Sequence, residues 1–334
     1  MNSMTDREKI EARARALGFC AVGFARATVL EEEQLHLEEW LGRGFQASMA
    51  WMDRTAGTRT DPRRYLPGAR TVISLAMNYY SPEEHGGEKG RGKISRYAWG
   101  DDYHDLIGIR LADLGEWLEG EYPGEKTRWA VDSRPVMEKA WAVRAGIGWL
   151  GKHTNVITRS HGSWIFLGEI LTTLEVDPDP PAIDHCGSCT RCIEACPTAA
   201  IVEPYLVDSR LCLSYLTIEH RGPVPGDIRD RYERWIFGCD ICQDVCPWNH
   251  KFSCETSEPG LRPRDGFVDP VLEEWRILTT DELRERVRGS PVGRAKYDGL
   301  MRNIDIVMEA GTKTDDGASH GHDKSRKAPG ETDR

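Results

Sequence analysis

Short, almost wholly apolar runs separated by polar segments are the main pattern in the first half of the chain. Runs of this length and composition are typical of buried strands. They occur at 19–25, 71–77 and 163–174, and the last is long enough for a pair of strands or an extended one. The pattern therefore predicts at least three strands in this part of the chain.

Helical spacing of apolar residues occurs between these runs. Residues 106–118 have it, with Ile109 on the apolar face, and 136–145 predicts a second helix. Thr5 and Glu8 form a capping box that predicts the start of a helix near the N-terminus. Alternating helices and strands predict an α/β domain in the first half of the chain.

Prolines at 177–181 predict the end of that domain, because consecutive prolines interrupt both helices and sheets. A cysteine-rich stretch follows, then a short helical pattern. The last residues contain almost no aliphatic side chains, which predicts disorder. The predicted units are therefore residues 1–181, 182–258, 259–310 and 311–334.

Composition and charge limit the class of protein. Of 334 residues, 39% are hydrophobic and 29% are charged, as in globular domains, and the formal net charge is −10. No apolar run reaches about 18 residues, the length of a candidate membrane-spanning helix, and the N-terminus lacks the apolar core of a signal peptide. We therefore expect a cytoplasmic protein that does not enter a membrane.

Nine of the ten cysteines lie between positions 186 and 254. In a reducing cytosol such a concentration favours metal binding over disulfides. The run CGSCTRCIEACP, which begins at Cys186, has the spacing of bacterial ferredoxins, where three thiolates bind one cubane and the fourth binds the other. The run CDICQDVCP, which begins at Cys239, has Val245 where a third cysteine would stand. Another ligand is needed there, and Cys212 or Cys254 is available.

In the ferredoxin pattern, the last cysteine of each run binds the cluster that the other run holds. Applied here, this rule divides the cysteines into two sets of ligands. The first cysteine set is Cys186, Cys189, Cys192 and Cys246, and the second cysteine set is Cys196, Cys212, Cys239 and Cys242. Four-thiolate zinc sites are the alternative, but zinc sites usually draw on pairs of cysteines. Two adjacent [4Fe-4S] clusters transfer single electrons, so the first domain should hold an electron acceptor.

Two further motifs in the first domain are ambiguous. The segment GIGWLG at 146–151 matches a dinucleotide fingerprint, but it follows a predicted helix instead of a strand, which argues against nucleotide binding. Asp102 and His104 resemble the Asp-x-His-x-x-Gly signature of proteins that bind cobalamin through histidine. Gly108 is one residue late for that signature, so the spacing alone does not decide their role.

Five segments together resemble the epoxyqueuosine reductase family. They are RTDPRRYLPGARTVI (59–73), SRYAWGDDYHDLI (95–107), VDSRPVMEKAWAVRAGIGWLGKH (131–153), CGSCTRCIEACPTAAI (186–201) and CDICQDVCPWN (239–249). The resemblance extends from the N-terminus to about residue 310. It implies an α+β fold, with a nitroreductase-like α/β cobalamin-binding domain, a ferredoxin-like domain with two [4Fe-4S] clusters and a short helical C-terminal segment.

The resemblance also implies the reaction. Such enzymes reduce epoxyqueuosine to queuosine at the wobble position of tRNA, the last step of queuosine biosynthesis, with reduced cobalamin that receives electrons from the two clusters. The aspartate of the VDS motif, Asp132 here, is the implied proton donor. Burial in a pocket closed by corrin and substrate would have to raise its pKa from about 3.9 for it to hold a proton. The alternative is that Asp132 and Ser133 cap the helix that begins near Pro135.

The resemblance further implies cofactor contacts. The implied cobalamin contacts are Arg59, Ser95, Asp132, Lys152, Val156, Leu167, Ser214 and Asp240. Val156 and Leu167 suit a plain core position equally well. The resemblance also implies that no histidine of the protein binds the cobalt of cobalamin. This argues against His104 and His153 as axial ligands.

The phosphates of tRNA are negatively charged, and so is this protein as a whole, with a net charge of −10. Binding of tRNA therefore requires local positive segments. Residues 54–70 and 283–303 each have a local charge of +4 and can contact phosphates, although the second segment also suits a solvated helix face. We expect Lys139, His220 and Arg221 to contact the tRNA near the mouth of the site, after the modified base has left the anticodon stack.

The remaining expectations concern partners and other functions. We expect a monomer that takes electrons from an unidentified donor. A corrinoid-dependent reductive dehalogenase of small organohalides is one alternative, and it would share the cobalamin and both clusters. A non-catalytic electron-transfer module is the other, although electron transfer alone does not require the long first domain.

Overall fold

The computed structural model of the chain describes residues 4–316. Within them the α-helices are α1 (Asp6–Ala16), α2 (Glu31–Gly42), α3 (Trp51–Arg54), α4 (Ala56–Thr60), α5 (Pro62–Tyr65), α6 (Tyr103–Glu121), α7 (Glu138–Arg144), α8 (Arg191–Glu194), α9 (Leu213–Ile218), α10 (Gly226–Arg229), α11 (Ile241–Asp244), α12 (Pro247–Phe252), α13 (Leu272–Arg276), α14 (Thr280–Arg286) and α15 (Lys296–Asp316). The strands are β1 (Ala21–Arg26), β2 (Thr71–Asn78), β3 (Lys93–Ile94), β4 (Thr127–Ala130), β5 (Trp149–Leu150), β6 (Val156–Ile157), β7 (Ile165–Thr172), β8 (Ile201–Glu203), β9 (Leu206–Val207) and β10 (Trp235–Phe237).

A four-stranded sheet with the order β1-β2-β7-β4 organises the first part of the chain. All three pairings are antiparallel, as in the predicted α+β class. The apolar runs at 19–25 and 71–77 correspond to β1 and β2, and the run at 163–174 forms the single strand β7. Strand β4 was not predicted, because its four residues, TRWA, are too few and too mixed to show a period.

Helices cover both faces of this sheet. Alternate side chains of a strand point to opposite faces, and on β2 Leu75 packs against α6 while Val72 packs against α7. Leu111 of α6 approaches β7 at Gly168, where a Cβ would lie 2.9 Å from the Leu111 side chain. On the opposite face, Trp141 of α7 is fully buried. The sheet is therefore the centre of a three-layer arrangement.

The predicted helix details are partly right. The capping box of Thr5 and Glu8 is present at the start of α1, with both reciprocal hydrogen bonds. In α6, however, Ile109 is 71% exposed, so its predicted place on the apolar face is wrong. The face that packs on the sheet includes Leu111 and Leu114, and Ile109 lies outside that stripe.

A second hydrophobic core joins segments that are far apart in the sequence. It contains Trp99, Trp235 of β10, Trp275 of α13 and Ile304 of α15, all fully buried. Strand β10 pairs in parallel with β3, which brings the cysteine-rich part of the chain onto the first domain. This core includes residues from three of the four predicted units, and the limits of those units remain a prediction.

The C-terminal helix α15 extends to Asp316, into the segment 311–334 that we expected to be disordered. Residues 317–334 lie outside the described residues. Within residues 4–316, neither α15 nor any other helix is long and apolar enough to cross a membrane.

Candidate active site

The sheet and the cysteine-rich part of the chain meet at a cavity of about 410 Å³. Ile165 and Phe166 of β7 and Tyr79, which follows β2, are among its apolar lining residues. Many residues singled out from the sequence also line it: Ser95, Asp132, Lys139, Leu167, Ser214, Cys196, Cys212, Cys239 and Cys242. Its volume is that of a ligand site. The fold thus brings the predicted proton donor and the entire second cysteine set into one cavity.

Asp132 lies in the loop after β4, with a φ of 39° that is uncommon for a residue other than glycine. Its Oδ2 accepts a hydrogen bond from the Tyr103 hydroxyl at 2.5 Å and lies 2.9 Å from His104 Nε2. Its backbone N–H donates to the Glu138 carboxyl. We call Tyr103, His104, Asp132 and Glu138 the acid cluster. Through the open cavity, 56% of the Asp132 side chain remains accessible.

The structure does not support a capping role for Asp132 or Ser133. Helix α7 begins at Glu138, and its N-cap residue, Met137, makes no side-chain capping bond. Residues 132–137 form a loop, so the helix starts later than the expected 136. The N-cap alternative is therefore wrong, because the loop places Asp132 against α6 instead of at the start of α7.

The charge of Asp132 depends on the two side chains that donate hydrogen bonds to it. Burial tends to raise the pKa of Asp132, but the hydrogen bonds from His104 and Tyr103 outweigh it and leave that pKa below its ordinary value. Two donors stabilise the ionised carboxylate in the open cavity, and the upward shift in a pocket closed by corrin and substrate stays a prediction. His104 shows the opposite shift. Burial opposes its charge, yet hydrogen bonds to Asp102 and Asp132 raise its pKa to about 10.

Glu138 is the second carboxyl of the cavity, and it differs from Asp132 in charge. Burial and the neighbouring charge of Asp132 raise the pKa of Glu138 to about 8. Beside it, Lys139 extends its Nζ to within 3.1 Å of the Asn155 side-chain oxygen. Paired carboxyls whose pKa values are driven apart are typical of acid–base sites. The cavity therefore holds one ionised and one neutral carboxyl near pH 7.

Electrostatic interactions between the thiols show how the cysteines are grouped. Each thiol of the first cysteine set interacts with another member of that set. The same holds for the second cysteine set. Cys242 also interacts with Cys192, so the two sets adjoin. The exposed Cys254 interacts instead with Cys20. None of the ten cysteines forms a disulfide, and thiolates in groups of four are the donors that [4Fe-4S] clusters require.

Lys152 lies beside the first cysteine set and not on the cavity. Its buried Nζ donates to the backbone carbonyls of Gly187 at 2.6 Å and Cys189 at 3.0 Å. These bonds connect the loop of the first cysteine set to the chain between β5 and β6. In the structure Lys152 thus supports a cysteine loop, and its contact with cobalamin remains a prediction.

Asp240 lies behind the cavity lining and is 1% exposed. Its carboxylate accepts hydrogen bonds from the Ser95 hydroxyl and, at 2.7 Å, from the Arg96 backbone N–H. Gly238, with a φ of 68°, permits this approach, since a Cβ there would lie 2.4 Å from the Ser95 Cβ. Asp240 therefore positions Ser95, and Ser95 in turn lines the cavity.

The other predicted cobalamin residues lie on or close to the cavity. Leu167 and Ser214 line it, and Val156 lines a smaller adjoining cavity of about 70 Å³. Arg59 is half-buried outside both. Burial lowers the pKa of Arg59, while the charges of Glu138 and Asp132 act in the opposite direction. Arg59 is therefore near the acid cluster.

His220 and Arg221 lie outside the cavity, at the protein surface. Arg221 donates to the backbone carbonyl of Arg294 at 2.8 Å. The Arg294 side chain pairs with Glu219 at 2.7 Å and also interacts with the charge of Asp132. Arg294 belongs to the positive segment 283–303, so that segment reaches the neighbourhood of the acid cluster.

Sequence reasoning missed several residues of this site. Tyr103 and Glu138 were not singled out, because neither stands in a motif that indicates acid–base chemistry. His104 was noticed only as a candidate cobalt ligand, and its motif with Asp102 was the signal available. His153 lines the cavity, and within the described residues its buried Nε2 has no hydrogen-bond partner. Its position on the cavity leaves this nitrogen available for a hydrogen bond to a bound group.

Family comparisons connect this site to known proteins. Residues 59–133 match the model of epoxyqueuosine reductase QueG, DUF1730, and residues 185–249 match a 4Fe-4S double cluster binding domain. The epoxyqueuosine reductase of Cellulophaga algicola is 44% identical over 308 residues, which cover 91% of this chain and 100% of that protein. The chain belongs to the epoxyqueuosine reductase family.

Solved structures of the family share this fold. A crystal structure of epoxyqueuosine reductase with an epoxyqueuosine-modified tRNA-Tyr stem loop has 27% identity and a TM-score of 0.86, and the match covers 92% of this chain and 82% of that chain. The Bacillus subtilis enzyme, in a structure with its catalytic aspartate loop swung out of the active site, has 26% identity and a TM-score of 0.84 over the same shares. The predicted family, the α+β class and the oxidoreductase class are confirmed.

Family membership also decides between the predicted alternatives. The matched double-cluster domain, residues 185–249, contains both cysteine sets and excludes Cys254. The iron–sulfur interpretation is therefore confirmed, and the zinc alternative is wrong. Because the family consists of reductases, the chain is an enzyme and not a non-catalytic electron-transfer module.

Proposed function

We propose that this chain reduces epoxyqueuosine to queuosine at the wobble position of tRNA, the last step of queuosine biosynthesis, with Asp132 as the proton donor. The observation that carries the proposal is one cavity lined by Asp132 and by all four members of the second cysteine set. Such a cavity offers protons and electrons to the same reacting centre. The 44% identity to the Cellulophaga algicola reductase over 91% of this chain supports the same reaction.

The chemistry explains why an acid is needed beside an electron source. Reduction of an epoxide to an alkene takes two electrons and two protons and releases the oxygen as water. An alkoxide leaves poorly at neutral pH, so the oxygen must gain a proton as its bond to carbon breaks. Asp132 is accessible from the cavity and stands in a hydrogen-bonded cluster that contains further protons. Asp132 is ionised at rest, so it must first take a proton from a neighbour in the acid cluster, and its position on the cavity then lets it protonate the departing oxygen.

Two [4Fe-4S] clusters, one on each cysteine set, supply the electrons in this proposal. The second cysteine set lines the cavity, whereas the first lies outside its lining. Around the first set, Gly187 and Ser188 are exposed. Electrons from an external one-electron donor therefore enter at the first cysteine set and pass to the second.

The cavity also suits cobalamin, a flat ring system with an apolar centre and an amide-bearing edge. Tyr79, Phe166 and Leu167 offer apolar contact, while Ser214 and the unpartnered Nε2 of His153 offer hydrogen bonds. When bound, cobalamin supplies a strongly reducing metal centre that accepts single electrons. Ser95, Asp132 and Val156 would complete the cobalamin contacts, and Arg59 lies nearby. Two further residues would act indirectly: Asp240 supports Ser95, and Lys152 supports the loop of the first cysteine set.

A tRNA anticodon loop must present its modified base to this cavity, which requires the base to leave its stack. The related reductase with an epoxyqueuosine-modified tRNA stem loop supports tRNA as the substrate. We assign Lys139 to contact with the base, and His220 and Arg221, beside Arg294, to contact with backbone phosphates. We further propose a monomer that acts in the cytoplasm.

Asp132→Asn tests the proton donor. The amide keeps the size of the side chain but is not an acid, so turnover should fall by at least about 10²-fold. The clusters, corrinoid and tRNA binding should remain. Nucleoside mass spectrometry of epoxyqueuosine-containing tRNA, treated anaerobically with reduced protein, measures turnover, and iron and cobalt analysis measures the cofactors.

Ser133→Ala is the matched control, since Ser133 is the next residue of the same loop and its side chain is exposed. It should retain turnover. Wild-type activity in Asp132→Asn would remove Asp132 from the role of proton donor.

A further inference from the structure

His104 lies between two carboxylates. It belongs to the first turn of α6, and its Nδ1 lies 2.7 Å from Asp102 Oδ1 while its Nε2 lies 2.9 Å from Asp132 Oδ2. Asp102 is the N-cap of α6 and accepts the His104 backbone N–H at 3.0 Å, so the helix start sets its position. The Tyr103 ring stacks on the imidazole with centroids 4.1 Å apart.

This geometry defines the charge of the ring. A carboxylate only accepts hydrogen bonds, whereas a neutral imidazole has one donor and one acceptor nitrogen. A ring with both nitrogens facing carboxylate oxygens therefore donates at both, as an imidazolium does. The Asp132 Oδ2 lies within hydrogen-bond distance of both the Tyr103 hydroxyl and His104 Nε2, an arrangement that favours the ionised carboxylate. The pKa of His104, raised to about 10 by its two carboxylates against the effect of burial, agrees with this charge state.

We propose that His104 stores the proton that Asp132 passes to the substrate, and that it acts as a positioning residue through Asp132. This inference rests on the proposed function. In the transfer, the Nε2–H bond of His104 breaks as an O–H bond forms on Asp132. The carboxyl then gives its proton to the epoxide oxygen as the carbon–oxygen bond breaks.

The balance of the reaction is kept. The two electrons come from the iron–sulfur clusters, as in the reduction described above. Solvent returns a proton to the ring, which is 33% exposed. A second passage through the same pair supplies the second proton, and the oxygen leaves as water.

Several other charged or titratable groups face this pair, and each interacts with Asp132. They are Glu138 and Lys139 of α7, Arg59 of α4, Arg294 and Tyr97. A variant at His104 leaves all of them in place. Because the imidazolium lowers the pKa of Asp132 and of Glu138, its removal also shifts those two pKa values, so the pH profile is interpreted together with the protonation state of the ring measured by NMR.

His104→Gln separates a proton store from a structural support. Glutamine can still donate an amide N–H toward Asp132, but it holds no acidic proton. We expect turnover at about pH 8 to fall about 10²-fold, the lower end of general acid catalysis. The loss should shrink as the pH falls toward the ordinary carboxyl range, because Asp132 then takes its proton directly from solvent. His36→Gln, exposed on α2, is the matched control and should keep the wild-type profile.

A second measurement needs no turnover. The holoenzyme is labelled with ¹⁵N at histidine and measured by NMR. The signals of His104 are identified as those that the wild-type spectrum contains and the His104→Gln spectrum lacks. Both ring nitrogens should be protonated at about pH 8, with deprotonation near the pKa of about 10. A neutral ring at about pH 8 would overturn the proposal, whether or not the variant folds well.

The pH–rate profile gives the other decisive outcome. A His104→Gln profile parallel to that of the wild type would also overturn the proton store. If Asp132→Asn is inactive in that case, only the role of His104 is lost. Full activity of Asp132→Asn would instead remove the proposed function of Asp132, on which this inference rests.

Discussion

The cavity is lined by two groups of side chains that depend on the rest of the molecule in different ways. In the acid cluster, hydrogen bonds within the chain stabilise each charge, as His104 shows between Asp102 and Asp132. The second cysteine set lines the same cavity. Four thiolates close together require bound iron to balance their charge. The chain thus builds the proton-transfer part alone, whereas the electron-transfer part is complete only with iron.

Among the variants that test this comparison, removal of one cluster ligand should change iron content and turnover the most. Cys212→Ser should lose the second cluster, so that iron content falls by about half and turnover is abolished, because folding energy at such sites is coupled to ligand binding. Iron analysis of anaerobically purified protein and the nucleoside assay measure the two effects.

Cys254→Ser is the control, since Cys254 is exposed and outside both sets. It should retain the full iron content. The opposite result, with iron lost from Cys254→Ser and kept in Cys212→Ser, would exchange the two cysteines in the second set.

Glu138→Gln tests the acid cluster through stability. Burial and the charge of Asp132 raise the pKa of Glu138 from 4.5 to about 8, so the folded protein holds this proton more tightly than the unfolded chain. Wild-type stability should therefore fall as the pH rises from about 4.5 to about 8, and level off above. The variant, which has no proton to lose, should lack this decrease, on the order of a few kcal/mol at most. Thermal unfolding between about pH 5 and pH 9 measures it.

Glu32→Gln, exposed on α2, controls for the loss of one negative charge and should keep the wild-type slope. Equal slopes for the wild type and Glu138→Gln would show that Glu138 is not a neutral carboxyl in the folded protein, and the contrast with the cysteines would weaken.

Lys152→Met should have the smallest effect on the clusters. It tests whether hydrogen bonds within the chain also stabilise the first cysteine set. The variant leaves the carbonyls of Gly187 and Cys189 without their donor, a loss of about 1–3 kcal/mol. We expect faster iron loss in air, with corrinoid content unchanged. Loss of corrinoid with intact iron would instead place Lys152 on the cofactor.

Local patterns predicted a large part of the fold. The apolar runs of β1, β2 and β7 are long enough to show their burial in the sequence, and the capping box at Thr5 depends only on neighbours. Strand β4 is too short to show any period. Ile109 was misplaced because the spacing fits two adjacent stripes of α6, and only the packing on the sheet selects one.

For the site, the sequence by itself determined the cysteine runs and the family, because the ligands of a cluster follow one another at a spacing that the cluster imposes on a single loop. Only the tertiary structure decided the charge of Asp132, since its partners Tyr103 and His104 lie on α6, about 30 residues earlier in the chain. The pKa of a carboxyl depends on the donors and the burial that surround it. Those surroundings exist only after α6, the loop beyond β4 and the cysteine-rich segment have packed around one cavity.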